Sequence, residues 1–243
     1  MSLGSLVLCG CAARTLDPGP AMSGHMAVRP GRPGVVVAAP HGSSDQHTGD
    51  IVAAIAERTG FASVIASGFT LGPDGPERAG RRYQVNRPFE GVPGQPSIAD
   101  VATVEAREVY VAWERRVREA AGGPLAFYVE VHGNNRRESA GRIEIATVGI
   151  DYEQAIRLRT LFELIRDAHL RGHPGPWRLE VFVEPADTVR FTASGAKRDG
   201  ILRLPEHALH IELPRAARLE GRAVYAAILA AFLHEAVPLL QSR

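Results

Sequence analysis

Several things are scarce in this chain of 243 residues. Cysteine is almost absent: Cys9 and Cys11 stand at the N-terminal end, and none follows. The body of the chain has no disulfide available, and its stability must come from a buried core. Charge of one sign is not in excess, with 28 Lys and Arg against 27 Asp and Glu. That balance argues against the electrostatic footprint of a nucleic-acid or anionic-membrane binder. No unbroken apolar run reaches the roughly 20 residues of a spanning segment, so no transmembrane helix is expected. Internal repeats are lacking too, which argues against a solenoid.

The first 33 residues read as a flexible tail. Leu3 to Cys11 is apolar and is followed by Ala12-Ala13, which resembles a bacterial lipoprotein signal with Cys11 as the lipidated residue. Residues 12–33, rich in Pro, Gly and Arg, would then be a tether. A basic n-region is missing, since no Lys or Arg precedes Arg14. A start before Met22 or Met26 that is over-long is the other reading. Localisation stays open between the cytoplasm and an exported lipoprotein anchored at Cys11.

What is present, over residues 34–243, is an alternation of strands and helices in one domain. Val35 to Ala39 is a continuous apolar run, as a strand buried on both faces requires. Asp50–Arg58 predicts a helix and Ser63–Ala66 a strand. Residues 70–97 are a long loop rich in Gly and Pro, of a length more often functional than idle. Ile98–Ala121 predicts an amphipathic helix with Val101, Val104, Ala112, Trp113, Val117 and Ala120 on one face. Leu125–Val131 predicts a strand, and Arg142–Val148 an alternating strand nearer an edge. Tyr152–Leu170 predicts a helix facing the core with Leu158, Leu161, Leu164, Ile165 and Ala168. Arg178–Val183 and Ala208–Leu213 predict strands, and Leu219–Leu239 a closing helix. The expected fold is α/β: one three-layer domain, with a mixed, mostly parallel sheet between helices.

Short polar motifs follow the strands. They are Pro40-His41-Gly42-Ser43-Ser44-Asp45, Asn86-Arg87, Glu130-Val131-His132-Gly133-Asn134 and His210-Ile211-Glu212. In open α/β sheets ligands sit outside the carboxyl ends of strands, so residues far apart in sequence can converge there. His41, Asp45 and His132 are candidate metal ligands, the inventory of a one-zinc hydrolase with a fourth position left for water. His47 and Asp50 compete with Asp45, although Asp50 also suits the N-terminus of a helix. Glu130 and His132, two apart on a strand, point to one side. Glu130 is placed to accept the second imidazole N–H that a metal-bound histidine needs satisfied. Glu212 is the candidate general base. His210 would polarise the substrate or support Glu212. Arg87 suits a substrate carboxylate, with Asn86 beside it and Asn134 as a further contact. Arg82, Arg136 and Arg137 are secondary anchor candidates.

In order and type, these motifs resemble the N-formylglutamate amidohydrolase family, which is similar to the wider zinc carboxypeptidase fold. The resemblance spans about residues 35–215 and lies in short motifs. It implies one Zn2+ held by His41, Asp45 and His132, a substrate carboxylate held by Asn86 and Arg87, and Glu212 as base. Two departures stand out. Ser44 occupies the place where the carboxypeptidase motif has its acidic ligand, with Asp45 one residue later. Glu130 and Gly133 flank His132 where the amidohydrolase motif has Asp and Ser.

The resulting expectation is a zinc-dependent amidohydrolase that cleaves an N-acyl, N-formylglutamate-like amino acid with a metal-activated water. Two alternatives remain. One is a zinc carboxypeptidase acting on peptides or peptidoglycan stems; the other is a non-catalytic binding protein on the same fold. The first expectation predicts a small closed pocket, the carboxypeptidase a cleft open to a chain. Two imidazoles and a carboxylate also suit iron or manganese. The expected partner is a small molecule or peptide with a free carboxylate, and no nucleic acid.

Overall fold

The computed structural model describes residues 14–16, 24–69, 82–92, 99–172 and 178–241. The lipoprotein-like motif at Cys9 and Cys11 lies outside the described residues. An eight-stranded sheet runs in the order β1-β2-β4-β3-β7-β10-β8-β9. Its strands are β1 (Arg14–Leu16), β2 (His25–Arg29), β3 (Arg32–Ala39), β4 (Phe61–Ser67), β7 (Phe127–Gly133), β8 (Arg142–Val148), β9 (Glu180–Val183) and β10 (His207–Leu213). A separate two-stranded ladder joins β5 (Arg82–Tyr83) to β6 (Glu90–Gly91). The central run β4-β3-β7-β10 is parallel throughout. The flanks add antiparallel contacts, β2 on β4 and β8 on β10.

Helices cover both faces. Val35, Val37 and Ala39 of β3 point into one core with α1 (Thr48–Thr59), α3 (Tyr152–His169) and α6 (Arg222–Gln241). Val36 and Ala38, one residue out of phase, enter a second core built on α2 (Val104–Ala121). This two-sided burial is why β3 reads as an unbroken apolar run. The expected three-layer mixed sheet is what the chain forms. Two short helices, α4 (Ser194–Asp199) and α5 (Arg215–Arg218), lie in the connections around β10.

Strand β8 lies near an edge, as expected, one place in because β9 pairs alongside it. Three features differ from the sequence reading. The stretch assigned to a tether contributes β2, which pairs with β4, and β1, which pairs with β2. Helix α2 begins at Val104, because the Thr103 hydroxyl accepts from the Ala106 N–H and caps it there. Val101 and Val104 are accordingly 41% and 70% exposed, and the buried face starts at Ala106. On α3 the buried stripe is Ala155, Leu158, Phe162 and Arg166, while Leu164 is 66% exposed. Leu164 follows Leu158 by six positions, which turns it about 240° around a helix of 3.6 residues per turn.

Helix α6 is long and apolar enough by composition to cross a membrane, which the reading by unbroken runs overlooks. In this fold it is a core helix: Ile228, Leu229, Phe232 and Leu233 are fully buried.

Candidate metal centre

The site grows from the register of three neighbouring parallel strands. In the β7–β10 ladder Glu130 lies opposite His210, and His132 opposite Glu212. Side chains at alternate positions share a face, so these four form a polar block. They continue the rows that begin with Tyr128 and Ala208 in the α2-side core. The block sits where both strands reach their carboxyl ends. His41 arrives beside it from the end of β3, the strand paired with β7 on its other side.

After Pro40 the chain turns tightly. The Asp45 N–H donates to the His41 carbonyl at 2.8 Å, an i to i+4 turn that puts both side chains on one side. A Cβ at Gly42 would lie 2.8 Å from the Ala66 carbonyl oxygen, so only glycine allows this close approach. His41 Nδ1 is 3.1 Å from Asp45 Oδ2, and His132 Nδ1 is 3.2 Å from His41 Nδ1. His132 Nδ1 lies 3.4 Å from Asp45 Oδ2 and closes the triangle. All three residues are buried. Ser44, the other position for an acidic ligand, instead accepts from Arg82 Nη1 at 3.0 Å. His47 and Asp50 pair with each other and with Arg222 away from this triangle.

The chemistry of this donor set is decided by the opposite edges of the rings. His41 Nε2 is 3.1 Å from the Gln84 carbonyl, and His132 Nε2 is 3.2 Å from Glu130 Oε2. A carbonyl or carboxylate oxygen can only accept, so each Nε2 must carry the proton. In the neutral rings both Nδ1 lone pairs therefore face Asp45 Oδ2, three acceptors with no proton between them. Such a cluster requires a cation. Tetrahedral zinc with N and O ligands at 2.0–2.1 Å has ligand–ligand edges of about 3.3–3.4 Å, and the triangle, with sides of 3.1–3.4 Å, is within about 0.2 Å of that spacing. Without a metal, a proton supplies the charge. Burial disfavours it on His132, but hydrogen bonds to the Asp45 and Glu130 carboxylates prevail and raise that pKa to about 10. Burial, reinforced by the Arg82 charge, lowers His41 to about 4. Burial opposes ionisation of Asp45, yet the two imidazoles hold it well below the usual carboxylate range.

Glu130 is fully buried and anchors the block. Its Oε2 accepts from His132 Nε2 at 3.2 Å, His210 Nδ1 at 3.1 Å and Asn86 Nδ2 at 3.0 Å. Its Oε1 accepts from the Tyr128 hydroxyl at 3.2 Å. Burial would raise its pKa, but these hydrogen bonds hold it below the normal range. The set Glu130, His132 and His210 could by spacing also hold a metal, but here every N–H already meets an acceptor. His210 lies tilted on His132 with ring centroids 4.3 Å apart, and its Nε2 is 3.4 Å from Glu212 Oε1. Asn134 Nδ2 donates to Glu212 Oε2 at 3.4 Å. Asn134 thus orients one Glu212 oxygen while the side chain lines the cleft.

Asn86 and Arg87 are presented by a strained turn. Val85 is a buried β-branched residue with φ of 56°, and the Asn86 N–H reaches back to the Gln84 carbonyl at 2.5 Å. This is the rare γ-turn of positive φ, a conformation the surrounding structure must impose. It aims the Gln84 carbonyl at His41, the Asn86 amide nitrogen at Glu130 and the Arg87 side chain along the cleft. Asn86 therefore serves the polar block with that nitrogen, where a contact beside Arg87 was expected.

The cleft has a volume of about 800 Å3 and is open to solvent. His41, Asp45, His132, Asn86, Arg87, Asn134, His210 and Glu212 all line it, as do Arg82 and Arg136. Arg137 lies outside it on the surface. Arg82 Nη1 also donates to Asp45 Oδ1 at 3.0 Å, which ties it to the triangle.

Sequence reasoning missed three residues here. Arg218, 1% exposed, donates to the carbonyls of Gln46, Leu213 and Asn134 and to Asn135 Oδ1. It ties together the segments that follow β3, β7 and β10. Glu144, beside Glu212 in the ladder, accepts from the N–H groups of Arg190 and Phe191 and fixes that wall of the cleft. Asp100 pairs with Arg87 at 2.6 Å. Arg218 and Glu144 stand in sequence contexts that carry no motif, and Asp100 follows a Pro-rich loop.

No family model matches the sequence, and no curated protein matches it. Solved structures do. A bacteriophage poly-γ-glutamate hydrolase matches with a TM-score of 0.52 at 16% identity, over 92% of this chain and 93% of that one. A gene product of Agrobacterium tumefaciens matches with a TM-score of 0.47 at 16% identity, over 89% and 94%. A metallo-carboxypeptidase from Burkholderia cenocepacia matches with a TM-score of 0.43 at 14% identity, over 88% and 62%. The chain shares the three-layer α/β fold of the phage poly-γ-glutamate hydrolase.

Proposed function

We infer that the protein is a zinc-dependent hydrolase that cleaves an amide bond in a substrate with a free carboxylate. The observation that carries this reading is the triangle of His41 Nδ1, His132 Nδ1 and Asp45 Oδ2, three converging acceptors with sides of 3.1–3.4 Å. A zinc ion held there would supply Lewis acidity toward a carbonyl oxygen and acidify water. The protein residues would do the rest. Glu212 would take a proton from the attacking water at a carboxylate oxygen and deliver it to the leaving nitrogen as the C–N bond breaks. Asn134 would hold that carboxylate in place through its amide N–H. Glu130 would keep the His132 ring in its Nδ1-bare tautomer, as the partner of a ligating histidine does. Arg87 would hold the substrate carboxylate.

Within this reading, the cleft favours a peptide-like chain over a single N-acyl amino acid. A space of about 800 Å3, open to solvent, falls in the upper part of the range for ligand pockets. The poly-γ-glutamate hydrolase and the metallo-carboxypeptidase are named for cleaving chains, which agrees with the carboxypeptidase reading. The N-formylglutamate substrate has no such support.

The test is direct. Protein purified without added metal is analysed for bound zinc, then assayed on N-acyl amino acids and on short peptides with free and amidated C-termini. The expected outcome is close to one zinc per chain and cleavage that requires the free carboxylate. A folded protein that takes up no divalent ion would support the binding-protein alternative.

A further inference from the structure

The guanidinium assigned to the substrate is already occupied by a carboxylate of the protein. Arg87 Nη2 lies 2.6 Å from Asp100 Oδ2, and the two side chains are 16% and 7% exposed. Both line the cleft. Asp100 is brought there by a backbone bridge in which Glu90 and Val101 exchange N–H to carbonyl bonds at 2.9 Å. The Gln84 amide also approaches Asp100 Oδ1, at 3.5 Å.

Arg87 does not depend on Asp100 for its position. The start of α4 passes so close that a Cβ on Gly195 would lie 2.0 Å from Arg87 Nη1. Gly200 packs on the stem, where a Cβ would lie 3.0 Å from Arg87 Cβ. The Asn86 carbonyl accepts from the Ile201 N–H at 2.9 Å, which fixes the backbone between them. Packing places the guanidinium, and Asp100 supplies mainly charge. A second carboxylate arriving at Arg87 then meets a near-neutral pair instead of a bare cation, and like charges set side by side repel.

We propose that Asp100 is a specificity-determining residue of the anchor: a built-in competitor that weakens capture of substrate carboxylates by Arg87. This rests on the reading of Arg87 as the carboxylate anchor. The arrangement limits how tightly simple anions hold the site, so only substrates with further contacts along the cleft are retained. It also favours release of a carboxylate product.

The test uses the zinc-loaded full chain and succinate as probe, titrated by calorimetry. In Asp100→Asn, which keeps the shape and loses the charge, succinate affinity should rise by roughly tenfold or more, the scale of removing an adjacent like charge. Asp100→Ala should behave similarly, and Asp100→Glu should restore the weak binding of the native chain. With a cleavable peptide, Asp100→Asn should lower KM with kcat little changed or reduced by slower product release. Arg87→Met separates the two claims. If it leaves succinate binding unchanged, the anchor reading fails. If it abolishes binding while Asp100→Asn and Asp100→Ala bind no more tightly than the native chain, the competitor proposal alone is overturned.

Discussion

Two buried glutamates at neighbouring sites are expected to do opposite things when altered. Glu212 faces the cleft and accepts from the Asn134 amide at 3.4 Å. Glu212→Gln keeps size and packing but removes the proton acceptor. Zinc content should stay as in the native chain while turnover falls by two or more orders of magnitude, the scale of losing a general base. Glu130 faces inward and holds His132. Glu130→Ala frees that ring and leaves the Nε2 hydrogens of His132 and Nδ1 of His210 without their acceptor. Zinc affinity should fall about 10–100-fold, as on loss of the partner of a ligating histidine, and competition with a chromogenic chelator measures it. Equal zinc loss in both variants would remove the distinction between a base and a ring-holder. Both positions were legible in the sequence because each residue stands two positions from a histidine on a strand. The resolution between Ser44 and Asp45 was not legible, since it depends on an i to i+4 turn and on Arg82 reaching Ser44 from another segment.

At the scale of elements, α3 shows what periodicity resolves and what it does not. Its N-terminus is written in the sequence: the Asp151 side chain accepts from the Gln154 N–H and the Gln154 side chain accepts from the Asp151 N–H, a capping box. Its buried face is set by which neighbours it meets. Phe162 packs on Phe232 of α6 with ring centroids 5.0 Å apart and is fully buried, whereas Leu164 looks out. Phe162→Ala should cost about 3–5 kcal/mol, the usual penalty for emptying a buried aromatic site. Leu164→Ala should stay within about 0.5 kcal/mol, as surface changes do. Urea unfolding of the two variants reads the difference, and comparable losses would place α3 in another rotation. Strand β2 escaped the sequence reading for a related reason. His25–Arg29 is short and flanked by Gly and Pro, and its partner β4 lies more than thirty residues away. Only the antiparallel ladder with Phe61–Ser67 makes it a strand.

At the scale of the molecule, strand order carries the site. The alternation of elements announced a layered α/β domain, but the order that seats β7 between β3 and β10 could not be read from it. That order turns three distant motifs into adjacent strand ends, and Arg218 then joins the segments beyond them through hydrogen bonds to Gln46, Asn134 and Leu213. A cation at His41, Asp45 and His132 would bridge the ends of β3 and β7, so its binding should report on the whole fold. An ion that binds only the folded chain stabilises it by RT ln(1 + [L]/Kd), about 4 kcal/mol at a thousandfold excess over Kd. For a chain of this size that corresponds to a rise in Tm of roughly 10 °C, given about 2–4 °C per kcal/mol. Dialysis against a chelator should lower Tm by that amount, and added zinc should restore it. His132→Ala should abolish the zinc-dependent rise, while Glu212→Gln should keep it in full. A Tm indifferent to chelator and zinc in the native chain would mean that the two imidazoles and the carboxylate share a proton and hold no metal.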